Sequence, residues 1–164
     1  MRLPFSAIRG IRRWAYRYIQ QREPDFVIGA PSDPYLRRWH ILKTPLAGIY
    51  IHQFVRSDDP RALHDHPWPS VSLILDGYYG EMVRTSPSLM FWRHPGDVVF
   101  RGPRARHRIV LDRPRCGKPY PVLTLFLVGP RVREWGFWCP KGFVPWREFC
   151  APSNMGQIGK GCGE

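Results

Sequence analysis

The sequence predicts an all-β domain, an antiparallel sandwich or barrel, with one α-helix before it and an aromatic-rich cap after it. Three observations carry this reading. Helical periodicity is confined to residues 5–21. Beyond it, eight short β-rich runs follow one another between turns that contain Pro and Gly. Finally, 164 residues with 43% hydrophobic and 14% aromatic content suffice for one core but are too few for two comfortable domains.

In the helix, "FSAIRGIRRWAYRYIQQ", the apolar positions Phe5, Ile8, Ile11, Ala15, Tyr18 and Ile19 share one face. Arg9, Arg13 and Arg17 form an i, i+4 row on another. A helix docked on the domain with its Arg row in water is the preferred reading, because Phe5, Ile8 and Ile11 suit a core edge. A basic amphipathic helix that touches a membrane or nucleic acid is the other. Residues 22–35, broken by three prolines and a glycine, read as loop with at most a short strand.

The expected strands are Leu36 to Leu42, Gly48 to Val55, Val71 to Leu75, Tyr78 to Arg84, Met90 to Arg93, Asp97 to Arg101, His107 to Leu111 and Val122 to Val128. Short strands at this density indicate an antiparallel sandwich or barrel. "REWGFWCPKGFVPWREF" gathers Trp and Phe around Gly and Pro turns and reads as a cap over one barrel end. "GQIGKGCGE" reads as a flexible tail. The expected organisation is a basic helix and loop over 1–35, the barrel with its cap over 36–150, and the tail over 151–164.

With 25 basic and 13 acidic residues the net charge is +12, which attracts nucleic acid, anionic lipid or small acidic molecules. Charge alone does not choose among them. The four cysteines form no CxxC pair, so free thiols in a reducing cytosol are expected. No run approaches the roughly 20 apolar residues of a membrane span, and the expected location is cytoplasmic.

His64 and His66 flank Asp65. Side chains at i and i+2 point the same way on a strand, so both imidazoles can face a barrel interior while Asp65 faces out. Two imidazoles are half of a metal site. The third candidate is His107, which opens a strand after the Pro95-Gly96-Asp97 turn.

Here the chain resembles the cupin superfamily. Of that family's first motif, GxxxxxHxHxxxExxxxxxG, His64, His66 and Gly77 fall at the motif spacings; of the second, GxxxxxPxGxxHxxxN, Gly96 and His107 match. The departures are Asp58 and Ser70 at the first motif's leading glycine and glutamate, and Gly102, Arg104 and Leu111 in the second. The resemblance covers about residues 48 to 128. It implies a single cupin (jelly-roll) barrel and carries the metal ligands over to His64, His66 and His107, without the family's carboxylate.

Three neutral imidazoles leave a divalent ion its full charge, so an anionic further ligand is favoured. Within cupins this resembles the three-histidine dioxygenases, which bind Fe(II); Zn, Mn, Ni or Cu would also suit three imidazoles. Glu81 is either an exposed strand residue or a carboxylate that folds back to act in the site. Ser70 is too weak a ligand to replace the glutamate but can hold a water or touch substrate. Trp68 either walls the pocket or packs in the core. Arg101, Arg104 and Arg106 surround His107 and could clamp an acidic substrate, although Arg104 and Arg106 face away from His107 in an extended strand. His52 is either an acid–base group or a satisfied core histidine.

The leading expectation is a metal-dependent oxidoreductase, a non-haem Fe(II) dioxygenase acting on a small anionic molecule. Two alternatives stay open: a sugar or nucleotide-sugar isomerase or epimerase using His52 or Glu81 as base, and a non-catalytic metal or ligand sensor, with nucleic acid a less favoured partner. A homodimer would cover exposed barrel edges.

Overall fold

The computed structural model describes residues 1–30, 32–59, 61–85, 87–112, 119–151 and 157–163. Helix α1 (Phe5–Gln20) starts after Pro4, whose fixed φ suits a helix entry. Four groups of strands follow. One six-stranded sheet has the order β1 (Phe26–Ala30), β2 (Asp33–Lys43), β3 (Gly48–Phe54), β10 (Val122–Val128), β5 (Ser70–Asp76) and β8 (Val98–Arg101). A three-stranded sheet holds β7 (Ser88–Arg93), β6 (Tyr79–Thr85) and β9 (Arg108–Leu111). A second three-stranded group holds β12 (Gly142–Pro145), β11 (Gly136–Cys139) and β4 (Leu63–His64), and α2 (Trp146–Phe149) leads to the pair β13 (Cys150–Ala151) and β14 (Gln157–Ile158). Every pairing is antiparallel. Each expected strand is present within a few residues, and the architecture is the jelly-roll barrel.

The period of two sorts the side chains of the large sheet. Ile51, Leu73, Leu75 and Leu123 point outward and form one core with Trp39 and with Ile8 and Ala15 of α1. The helix is therefore docked, and Arg9, Arg13 and Arg17 stay exposed on its far side. Tyr16 of the helix donates to Asp76 Oδ2 at 2.5 Å. Arg38, His52, Thr124 and Ile74 lie in register across β2, β3, β10 and β5 and point inward. The inner core is apolar at one end, with Leu36, Phe54, Ile74, Tyr79, Val99, Ile109, Leu111 and Val122. Polar residues begin one layer further along.

Three expectations need correction or extension. Residues 22–35 hold the one short strand that the sequence allows there, β1, and also the start of β2; the two pair through a bulge at Ile28/Gly29, so the barrel sheet begins inside that segment. Cys139 and Cys162 are joined as a disulfide with their Cα atoms 5.5 Å apart, so the expectation of free thiols fails for this pair. Sequence spacing could not reveal it, because β11 and the chain end meet only once the cap has folded. Cys150 is a free thiol, and Cys116 lies outside the described residues. In the expected flexible tail, residues 152–156 and 164 lie outside the described residues. Residues 157–163 are anchored by Cys162 and by backbone bonds from Gly159 and Gly161 to the Phe149 carbonyl. Among the described residues, no helix is long and apolar enough to cross a membrane.

Gly96 shows why the Pro-Gly-Asp turn has its sequence. Its φ of 92° lies in the region glycine favours, and a Cβ there would sit 2.2 Å from the Leu3 carbonyl oxygen. The tight approach lets Leu3 N–H donate to the Gly96 carbonyl and Gly96 N–H to that of Ile74, both at 2.8 Å. Gly96→Ala is expected to lose about 2 kcal/mol or more of stability, read from the urea midpoint. An unchanged midpoint would mean that the turn relaxes freely.

Candidate metal centre

The HxH segment is held from two sides. On one, β4 pairs with β11, setting His64 opposite Phe137. On the other, His64 and His107 exchange both backbone hydrogen bonds at 2.9 Å, an isolated antiparallel bridge that places the two residues face to face. The second motif histidine thus meets the first through the main chain. Asp65 does not face solvent as expected. It is fully buried, accepting from the Gly136 N–H at 3.1 Å, Trp138 Nε1 at 3.0 Å and Arg133 Nη1 at 2.6 Å. The aspartate between the histidines therefore rivets the HxH to the C-terminal cap, a role visible only when the cap is in place.

His64, His66 and His107 each offer one nitrogen within 4.8 Å of the others. His66 Nε2 and His107 Nε2 are 2.9 Å apart. Two imidazoles sharing one ion at about 2.1 Å and about 90° would stand about 3 Å apart, so the donors suit a single ion. Ring centroids are 5.1 Å apart for His64 and His66, 4.7 Å for His64 and His107, and 5.1 Å for His66 and His107. Burial, then the charges of His107, His64 and Arg101, hold His66 well below the usual histidine range. Burial brings His107 down to about 4, against a pull upward from Glu81. Both rings are neutral near pH 7, the form that ligates metal.

Carboxylates stand behind two of the rings. His107 Nδ1 lies 3.2 Å from Glu81 Oε1, close but not aligned as a hydrogen bond, and His64 Nδ1 lies 3.7 Å from Asp58 Oδ2. A carboxylate at Nδ1 favours the proton there and leaves Nε2 free as a ligand. Asp58 is itself fixed by the Ile109 N–H at 2.6 Å. Asp58 at the motif's leading glycine was a departure without a role in the sequence; its contact with His64 supplies one.

Glu81 is buried at 2% exposure, not an exposed strand residue. Its oxygens accept from Arg93 Nε at 2.7 Å and Arg101 Nε at 2.5 Å. Burial alone would raise its pKa, but His107 and the two arginines outweigh that and hold it ionised. Arg101 is also buried and is occupied by Glu81, by Ser72 Oγ at 2.9 Å and by the Tyr79 hydroxyl at 3.3 Å. It neutralises Glu81 inside the barrel and does not stand at the mouth as a clamp. Arg104 is exposed in a turn. Arg106 stacks on Trp138, 3.2 Å from the ring centroid, on the cap. Neither is brought to the histidines, because the residues flanking His107 alternate away from it.

His52 points inward on β3 but does not join the cluster. Its Nε2 accepts from Arg38 Nε at 2.8 Å, and burial holds its pKa well below the ordinary value. Phe126 touches both His52 and His66, with centroids 4.7 and 6.1 Å away. Trp68 packs on the cluster of Tyr50, Phe126 and Val128. The Ser70 and Thr124 hydroxyls and Trp68 Nε1 are buried without hydrogen-bond partners among the described residues. Ser72, two residues along, reaches inward to Arg101, so Ser70 shares the inner face.

No family model matches the chain, and no curated protein does. Solved structures do. A putative mannose-6-phosphate isomerase from Ralstonia eutropha JMP134 is 19% identical, with a TM-score of 0.49 over 65% of this chain and 92% of that one. An uncharacterized conserved protein with a double-stranded β-helix domain from Klebsiella pneumoniae is 16% identical, with a TM-score of 0.49 over 69% and 90%. An RmlC-like cupin from Shewanella frigidimarina NCIMB 400 is 15% identical, with a TM-score of 0.46 over 63% and 82%. At these identities the likeness is one of fold, and the site must be judged on its own residues.

Proposed function

We propose that this cupin-type barrel binds one divalent transition metal through His64, His66 and His107, Fe(II) foremost, and oxidises a small anionic substrate in the manner of a dioxygenase. The observation that carries the reading is the convergence of three imidazole nitrogens within 4.8 Å, two of them on neutral rings. An ion held by three neutral ligands supplies Lewis acidity toward an anion and, if it is iron, redox chemistry with dioxygen.

The chain's own residues divide the remaining work. Glu81 and Asp58 orient His107 and His64 through Nδ1. Phe126 and Trp68 close the side of the site toward Tyr50 and keep water from it. The unpartnered Ser70 and Thr124 hydroxyls offer hydrogen bonds to a substrate or a water. An isomerase needs a free general base, and neither expected candidate is free: His52 accepts from Arg38, and Glu81 is held by two arginines.

Protein purified without chelator is expected to carry about one transition metal per chain by elemental analysis. His64→Ala combined with His107→Ala should abolish it while the folded spectrum persists. Metal content unchanged in that variant would sink the site. Oxygen uptake with Fe(II) and a panel of small carboxylates, thiols and diketones then tests the reaction class.

A further inference from the structure

A pocket of ≈ 380 Å³ that none of the three histidines lines opens at the β2–β3 end of the barrel, walled by Arg38, His40, Lys43, Tyr50, Trp68 and Arg131 among others. Its volume is that of a small-metabolite site. None of the described residues lining it is acidic. Asp25, just before Phe26 at its rim, is committed to Arg22 at 3.1 Å and to the His40 backbone N–H at 2.8 Å.

Arg38 is the unusual member. It lies on the inner face of β2, its Nε donates to His52 at 2.8 Å, and its guanidinium sits over the Tyr50 and Phe26 rings at 5.2 and 5.7 Å. The guanidinium plane is thereby fixed. No carboxylate pairs with it among the described residues, and its two terminal nitrogens have no protein acceptor there. Burial pulls its pKa below the ordinary arginine value. Arg38 is half-buried and has no counter-charge among the described residues, so an anion in the pocket would be favoured there. Lys43 is exposed at the rim, where it adds positive potential, whereas Arg131 is partly satisfied by Glu134 at 2.9 Å.

We propose that this pocket binds a small organic carboxylate, which accepts from the two terminal nitrogens of Arg38 while its body lies against Tyr50 and Trp68. A planar carboxylate matches a planar pair of donors, and the remaining wall is aromatic and suits an apolar body. Trp68 is shared with the wall of the metal site, but none of the three histidines lines the pocket, so the proposal goes beyond the metal reading and stands without it.

The test is calorimetric titration of the full chain with benzoate, acetate and inorganic phosphate, at low ionic strength with EDTA present. Benzoate is expected to bind one per chain, more tightly than acetate, and to weaken with added salt. Arg38→Gln should weaken it roughly tenfold or more. Lys43→Glu, at an exposed position that cannot disturb folding, should weaken it about threefold at low salt. His64→Ala should bind benzoate like the wild type, so failure of the metal reading and of this one are distinguishable. Unchanged affinity in Lys43→Glu or in a folded Arg38→Gln would overturn the proposal. So would the absence of benzoate binding, or phosphate binding more tightly than benzoate.

Discussion

Replacing Glu81 by Ala is expected to destabilise the barrel by about 3–5 kcal/mol, the cost of breaking a buried ion pair from one side. Arg101 is 5% exposed and Glu81 2%, so the guanidinium left behind would have little access to water. Ser72 and Tyr79 would still accept from it, but neither carries the compensating charge. Arg93, on the neighbouring edge strand, is a quarter exposed and can turn to solvent. Urea unfolding of Glu81→Ala and of the double variant Glu81→Leu/Arg101→Met separates the terms. The double variant should recover most of the loss, because it removes both charges. A loss below about 1 kcal/mol in Glu81→Ala would show that water already reaches the pair. Glu81→Gln gives the positioning readout: it keeps the shape, loses the charge beside His107 Nδ1, and should weaken metal affinity by roughly 10–100-fold.

The second large effect is on acid stability of the metal-free protein. His107 is lowered to about 4, and His52 and His66 are lowered well below the usual range, burial being the first cause for each. The unfolded chain takes up these protons near pH 6.5, whereas the folded chain resists until far lower pH. Stability is therefore full above pH 6.5 and falls as pH drops toward the folded values. His107 alone accounts for about 3 kcal/mol between pH 6.5 and pH 4, and His52 and His66 act in the same direction. Glu81, lowered in the fold, adds a further loss below the ordinary carboxylate range. Urea midpoints at pH 7.5, 5.5 and 4.5 with EDTA should fall steadily, with the steepest loss below pH 6. A flat profile from pH 7 to 5 would mean that these histidines are solvated.

The two large effects share a physical origin, the polar layer in mid-barrel. Arg38, His52, Thr124, Arg101, Glu81 and the three ligand histidines occupy a layer that a purely structural barrel would fill with Leu and Val, as this one does around Leu36, Phe54 and Leu111. Such a layer destabilises the fold unless each charge has a partner. Glu81 with Arg93 and Arg101, and Asp65 with Arg133, meet that requirement. The terminal nitrogens of Arg38 have no acceptor among the described residues, and His66 and His107 meet only each other at Nε2; those are the groups to which ligands are assigned above.

The sequence by itself determined the eight expected strands, the helix and the three clustered histidines. These rest on short-range rules: alternation along a strand, the 3.6-residue period of α1, the turn chemistry at Gly77 and Gly96, and the i, i+2 spacing of His64 and His66. Only the tertiary structure decided that Asp65 is buried under the cap, that Arg101 neutralises Glu81, that Arg38 props His52, and that Cys139 meets Cys162. Each of these joins segments from 14 to 73 residues apart. Their partners are chosen by which strands become neighbours and in what register, so no local pattern announces them. Glu81 shows the difference most plainly. As a letter beyond a glycine turn it could face either way, and the pairing of β6 with β9, which sets it opposite Ile109 two residues from His107, settled which.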